Sequence, residues 1–132
     1  MRGLLVSIVA VVFLGTSPLH AQQAPQVTVT ILVPEAPVSG HSDEVFVMLT
    51  TEYPPGATTG RHVHPGDEYS TLVEGTVMTW REGGEWRTVH SGESFSVPAN
   101  IIHETKNVGT GTAKAVNTFV LEKGKPRITP IQ

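Results

Sequence analysis

The chain contains no cysteine. That excludes a disulfide, a thiolate ligand, a cysteine nucleophile and lipid attachment to a cysteine. Any transition metal must then be held through nitrogen and oxygen, which leaves the six histidines and the acids. Positive charge is also in short supply. Lys and Arg number 9 against 12 Asp and Glu, a net charge of −3, with no basic patch, so nucleic acid is not an expected partner. A long hydrophobic run is missing too. The apolar stretch 4–14, interrupted by Ser7, falls well short of the roughly 20 residues that span a bilayer. No segment shows a convincing helical period, no internal repeat is visible, and neither a helix-turn-helix segment nor a Ser/His/Asp arrangement is present.

What the first 21 residues do contain reads as a secretory signal peptide. Arg2 opens a short positive start, the apolar stretch follows, Thr16-Ser17-Pro18 breaks it, and Leu19-His20-Ala21 offers a small-residue cleavage site. A periplasmic or secreted protein with no stable membrane insertion after cleavage is expected. Residues 22–132 then form a single domain of ordinary size, and loss of Arg2 takes its net charge to −4.

Along this domain, β-branched and apolar residues alternate with polar ones in short runs. Strands are predicted at 27–33, 44–52, 69–74, 76–80, 86–90, 94–97, 101–107 and 113–121. Loops or turns are predicted at 34–43, where Pro34, Pro37 and Gly40 fall, at 53–56, and at Pro65-Gly66-Asp67. Gly83-Gly84 marks a hairpin turn, and 122–132 reads as a polar tail. Ten prolines and 13 glycines between apolar strands fit a turn-dense all-β fold, a small antiparallel sandwich or barrel.

The chemistry concentrates in residues 56–75. His62 and His64 are two apart, so on an extended strand both imidazoles point to one side. Glu68 follows beyond the turn, and His103 is the natural fourth partner. Three imidazoles and one carboxylate suit a transition-metal site. Parity places Ser70 and Leu72 on the same face as Glu68. It also sets Ala113, Ala115, Asn117, Phe119 and Leu121 on one face of the last strand. That face predicts a mostly apolar pocket with Asn117 as its polar point. His41 and His90 fall outside this pattern. Asp67 reads as turn chemistry, Glu104 as solvated, Asn107 as a turn anchor, and Trp80 and Trp86 as a cross-strand pair.

Two spaced patterns organise these residues. The first is Gly56, His62, His64, Glu68 and Gly75; the second is Gly92, Pro98, Asn100, His103 and Asn107. Together they resemble the two motifs of the cupin superfamily, with one departure, Asn100 where the family usually has Gly. Asn is the next-best residue for a left-handed turn. The resemblance spans 56–107, and it implies a small jelly-roll barrel, or double-stranded β-helix. In it His62, His64, Glu68 and His103 surround one divalent metal, whether Mn, Fe, Ni, Cu, Co or Zn. It also implies a homodimer, often built by exchange of an N-terminal strand, here 27–33.

Fold alone does not select a reaction. The first functional reading is a metal-dependent enzyme of the dioxygenase type acting on a small organic molecule, with Glu68 able to detach as a general base. The alternatives are a non-redox isomerase or lyase, for which Zn would suffice as a Lewis acid, and a non-catalytic periplasmic barrel that binds metal and a small, sugar-like ligand. A further polar group near the metal positions favours catalysis over simple binding.

Overall fold

The computed structural model describes residues 23–132. Residues 1–21, where a signal peptide is expected, lie outside the described residues. Ten strands follow in order: β1 (Thr28–Val38), β2 (His41–Tyr53), β3 (His62–Val63), β4 (Gly66–Glu74), β5 (Thr76–Arg81), β6 (Arg87–His90), β7 (Ser94–Val97), β8 (His103–Asn107), β9 (Ala113–Glu122) and β10 (Thr129–Pro130). Among the described residues there is no helix, and hence none long and apolar enough to cross a membrane. Two five-stranded antiparallel sheets result, β1-β2-β9-β4-β7 and β10-β3-β8-β5-β6. This is the antiparallel all-β architecture expected from the strand spacing, in the jelly-roll form that the resemblance implies.

Period-two alternation explains how the sheets face each other. On β9, Ala113, Ala115, Asn117, Phe119 and Leu121 are buried while their neighbours are half-buried or exposed. On β4, Glu68, Ser70 and Leu72 point inward, and Tyr69, Thr71 and Val73 point out. One apolar cluster joins Tyr53, Leu72, Ala113 and Ala115 of the first sheet to Val77 and Val89 of the second. Another gathers Val45, Val47 and Leu49 of β2 with Phe119 and Leu121 of β9. Between them the inward positions are polar: Thr51 on β2, Asn117 on β9, and Ser70 and Glu68 on β4. β2 and β9 thus change from apolar to polar and back, β4 passes from Leu72 to Ser70 and Glu68 beside them, and the candidate site adjoins that polar level.

Three expectations need correction. Residues 34–43 are not a loop: β1 continues to Val38 and returns through Ser39-Gly40 into β2. β1 is an edge strand, so the missing N–H groups of Pro34 and Pro37 cost no ladder bond on a central strand. Register shifts beside them absorb the misfit. Gly66 and Asp67 belong to β4 rather than to a turn. Gly66 is needed because a Cβ there would collide with the Val120 carbonyl on β9. The tail is not featureless either, since β10 pairs with β3.

Asn100 has φ 61, the left-handed conformation expected of the residue standing where Gly is usual. Asn107 anchors its turn as anticipated. Its amide donates to the Tyr53 and Gly111 carbonyls at 2.7 and 2.8 Å and accepts from Gly109 N–H at 2.8 Å.

Candidate metal centre

β3 is only two residues long, yet it is fixed on both sides. His62 pairs with Pro130 of β10 and with His103 of β8. That register sets His62 and His103 directly opposite, with ring centroids 4.1 Å apart. The chain after Val63 delivers His64, whose ring lies 4.8 Å from that of His62 and 5.0 Å from that of His103. β4 supplies Glu68 from the facing sheet. All four are buried, so the structure brings together every residue proposed as a ligand. His41 and His90 are exposed and lie elsewhere.

The hydrogen bonds of the imidazoles define which nitrogens are free. The Nδ1 atoms of His62, His64 and His103 meet the carbonyl oxygens of Gly60, Arg127 and Ile101 respectively. A carbonyl only accepts, so each Nδ1 carries the proton and each Nε2 keeps a lone pair. The three ligand atoms lie within 4.8 Å of one another. Glu68 Oε2 lies 3.0 Å from His103 Nε2 and 3.3 Å from His64 Nε2. Although so close, His103 Nε2 makes no hydrogen bond of acceptable direction and is a buried polar atom without a partner. Adjacent donors on one ion at about 2.1 Å stand roughly 3.0–3.4 Å apart. The donor types, the 3.0 and 3.3 Å separations from Glu68 Oε2 and the orphaned nitrogen fit a divalent cation.

Burial pushes the His62 imidazole down to about 4, helped by its histidine neighbours and opposed by the Gly60 hydrogen bond and Glu68. Burial by itself would raise the Glu68 carboxyl. His103, His64 and the Ser70 hydroxyl outweigh it together and hold the group well below the usual carboxylate range. A neutral His62 imidazole and an ionised Glu68 carboxylate are the protonation states a cation requires of them.

Behind Glu68 the wall is polar. Ser70 Oγ donates to Glu68 Oε1 at 2.6 Å, and Asn117 Nδ2 reaches the same oxygen at 3.2 Å and Ser70 Oγ at 2.6 Å. Thr51 Oγ1 donates to Asn117 Oδ1 at 3.0 Å. Asn117 is the polar point anticipated, but the mostly apolar pocket is not found, because a buried carboxylate needs donors and the neighbouring inward positions supply them. On the other side Phe119 packs against His64, ring centroids 4.8 Å apart.

A hollow of about 110 Å³ bounded by Glu68, Val97 and Pro98 adjoins the centre. A larger cavity of about 680 Å³ lies between β7 and the β5–β6 hairpin and reaches inward to Ser70 and Thr79. Sequence reasoning passed over Thr51, the Arg127 carbonyl, and Arg81 and Arg87 at this cavity. The two arginines share parity with buried Thr79 and Val89, a signal that the alternation carried. Of the residues set aside, Asp67 accepts from Ala99 N–H at 2.9 Å, tying β4 to the turn after Pro98. Glu104 is not simply solvated, since it accepts from Thr58 Oγ1 at 2.8 Å. Trp80 and Trp86 pack as a tilted pair with ring centroids 6.3 Å apart.

Two antiparallel five-stranded sheets around a buried histidine trio define a β-barrel with the make-up of a metal-binding jelly roll. The family model described as the cupin domain matches residues 49–119, more than half of the chain, and the chain belongs to that family. Among solved structures, a Klebsiella pneumoniae protein with a double-stranded β-helix domain superposes with a TM-score of 0.62 at 18% identity, covering 81% of this chain and 85% of that one. An oxalate oxidase bound to the substrate analogue glycolate gives a TM-score of 0.63 at 25% identity, over 80% of this chain and 55% of its own. A curated relative, the HTH-type transcriptional regulator PuuR of Escherichia coli K12, is 28% identical over 80 residues. That match spans 60% of this chain but only 43% of the regulator.

Proposed function

We propose that this cupin holds one divalent transition metal through His62, His64, His103 and Glu68, and uses it to act on a small organic molecule in a dioxygenase-type, oxygen-dependent reaction. The observation that carries this reading is the set of three Nε2 lone pairs, each fixed by an Nδ1–H···O=C bond, converging beside Glu68 Oε2. A redox-active ion there supplies oxygen chemistry, whereas Zn supplies Lewis-acid polarisation alone.

The protein's own part is orientation and exclusion of water. The backbone carbonyls set the tautomers, the Ser70–Asn117 pair fixes the carboxylate, and Phe119 covers one side. Polar groups next to the centre favour catalysis over passive binding, and the likeness to an oxalate oxidase supports oxygen chemistry. Glu68 as a detaching base is the alternative role for that residue. The two hydrogen bonds on Oε1 favour a fixed ligand, and a Glu68→Gln protein that keeps metal and turnover removes the base role.

Small molecules are the partners this reading implies. No helix able to enter a DNA groove lies among the described residues. A homodimer and a periplasmic or secreted location complete the proposal, the latter resting on residues 1–21. The test is metal analysis of untagged protein from its own compartment beside His62→Ala. Near-stoichiometric Mn, Fe, Ni, Cu or Co lost in the variant supports redox chemistry. Zn lost in the same way moves the reading to isomerase or lyase chemistry, and absence of metal in both after reconstitution rejects it.

A further inference from the structure

Two arginines stand at the mouth of the larger cavity, and their placement follows from strand parity. Val77 and Thr79 are buried inward residues of β5, and Arg81 is the next residue of that face. Val89 is the inward residue of β6, and Arg87 shares its face. Arg81 is also the register partner of His103 on β8. Residues directly opposite on antiparallel strands have Cβ atoms only about 4.5–5.5 Å apart on one face. Arg81 is therefore the immediate neighbour of the candidate metal centre on the cavity side.

Both guanidiniums are held in place and uncompensated. Arg87 Nη2 donates to Ser94 O at 2.7 Å and Arg81 Nη1 to Ser96 O at 3.4 Å, so the two cap successive outward carbonyls on the free edge of β7. Those carbonyls are two residues apart, which spaces the cations at roughly 6.5–7 Å along the strand. Neither arginine takes part in an ion pair among the described residues. Each guanidinium has five N–H donors, so most remain available. Glu85 is the one acid lining the cavity, which leaves an excess of positive charge. Phe95, which shares the inward parity of Val97, supplies apolar wall; Trp80 turns its ring to the outer face, under Arg61, with its indole donating to Gly84 O at 3.0 Å. The inner end reaches Ser70, whose hydroxyl is already on Glu68.

We propose that this cavity is a binding site for a small organic anion, its carboxylate held between Arg81 and Arg87 and its body lying on Phe95 toward Ser70. Planar guanidiniums match carboxylate geometry, and an apolar wall beyond them selects an organic rather than a mineral anion. That the bound anion is the substrate rests on the metal-centre reading above; that it binds does not.

The experiment uses the tryptophans themselves, since the chain's only two, Trp80 and Trp86, lie at or beside the cavity. Fluorescence of chelator-treated and metal-loaded protein is titrated with sodium benzoate and with neutral benzamide. The expected result is saturable benzoate binding in both forms, weakened by added salt, at least roughly tenfold tighter than benzamide and roughly tenfold weaker in Arg81→Gln/Arg87→Gln. Glu85→Gln, which leaves both cations in place, should tighten it. Equal binding of benzamide, unchanged affinity in the double glutamine variant, or no saturable response overturns the proposal. Should that variant fail to fold, salt dependence in the unaltered protein decides: affinity indifferent to ionic strength overturns it. Benzoate binding that survives in a protein shown to take up no metal would remove the enzymatic reading and leave the anion site standing.

Discussion

Asn117 donates its side-chain amide to Glu68 Oε1 across the β4–β9 pair, at 3.2 Å, while sharing Ser70 with the same oxygen. One carboxylate oxygen is thereby occupied from behind and the other faces the histidines. Removing either donor loosens the carboxylate without touching an imidazole. Asn117→Ala and Ser70→Ala should each weaken metal affinity by about 10–100-fold, the usual effect of losing a group that orients a ligand. Competition with a chromogenic chelator measures it. Affinity unchanged in both would mean the pair serves packing only.

A second prediction concerns pH and metal-free protein. His62 titrates at about 4 when folded against an ordinary 6.5. Above about pH 6.5 the imidazole is neutral in both states and stability does not depend on it. As pH falls below that, the unfolded chain binds a proton that the folded chain refuses, so stability drops until the folded group also protonates near 4. The total is on the order of 3 kcal/mol. Glu68, held below the usual carboxylate range, continues the loss in the same direction at lower pH. Urea midpoints measured from pH 7 to 4 should fall steadily, and His62→Gln should flatten the upper part of that decline.

How far these features can be read from the chain depends on whether local chemistry decides them. His62 and His64 are legible because two residues of equal parity stand side by side, Glu68 and His103 because the two spaced patterns name them, and the inward faces of β4 and β9 follow the period of two residue by residue. The β1–β2 hairpin is not, because Pro34 and Pro37 carry a loop signal locally and only edge position and register shifts make them compatible with a strand. β10 is hidden for a related reason. Two residues hold no periodicity, and their pairing to β3 is a tertiary event. The Arg127 carbonyl that orients His64 is backbone, which carries no residue-type signal at all.

The interior makes a third prediction. Leu72 is fully buried, 0% exposed, in the cluster that joins the two sheets. Leu72→Ala should cost about 2–5 kcal/mol, the transfer term plus a cavity that flanking strands cannot close. Gly66→Ala should also destabilise, because the added methyl meets the Val120 carbonyl and the Leu121 backbone. That clash sits two residues before Glu68, so metal affinity should fall with it, whereas Leu72→Ala should lower the melting temperature and leave affinity nearly unchanged. Thermal unfolding with and without metal separates the two.

The last prediction bears on assembly. β1 is hydrogen-bonded to β2 alone, and it carries Val29, Ile31 and Leu32 at 43%, 44% and 50% exposure. Apolar residues on both faces of an edge strand are a pairing hazard unless something covers them. The cupin resemblance implies that a second copy does so, by packing against this strand or exchanging it. Light scattering of the purified protein should give twice its monomer mass, and Leu32→Glu should shift it toward monomer while leaving the histidine centre able to bind metal. No residue of β1 is buried or belongs to either core cluster, so an exchanged strand would leave the inner core intact and the variant should stay folded. A monomeric unaltered protein with β1 protected from hydrogen exchange would instead show that the intrachain β1–β2 ladder alone suffices.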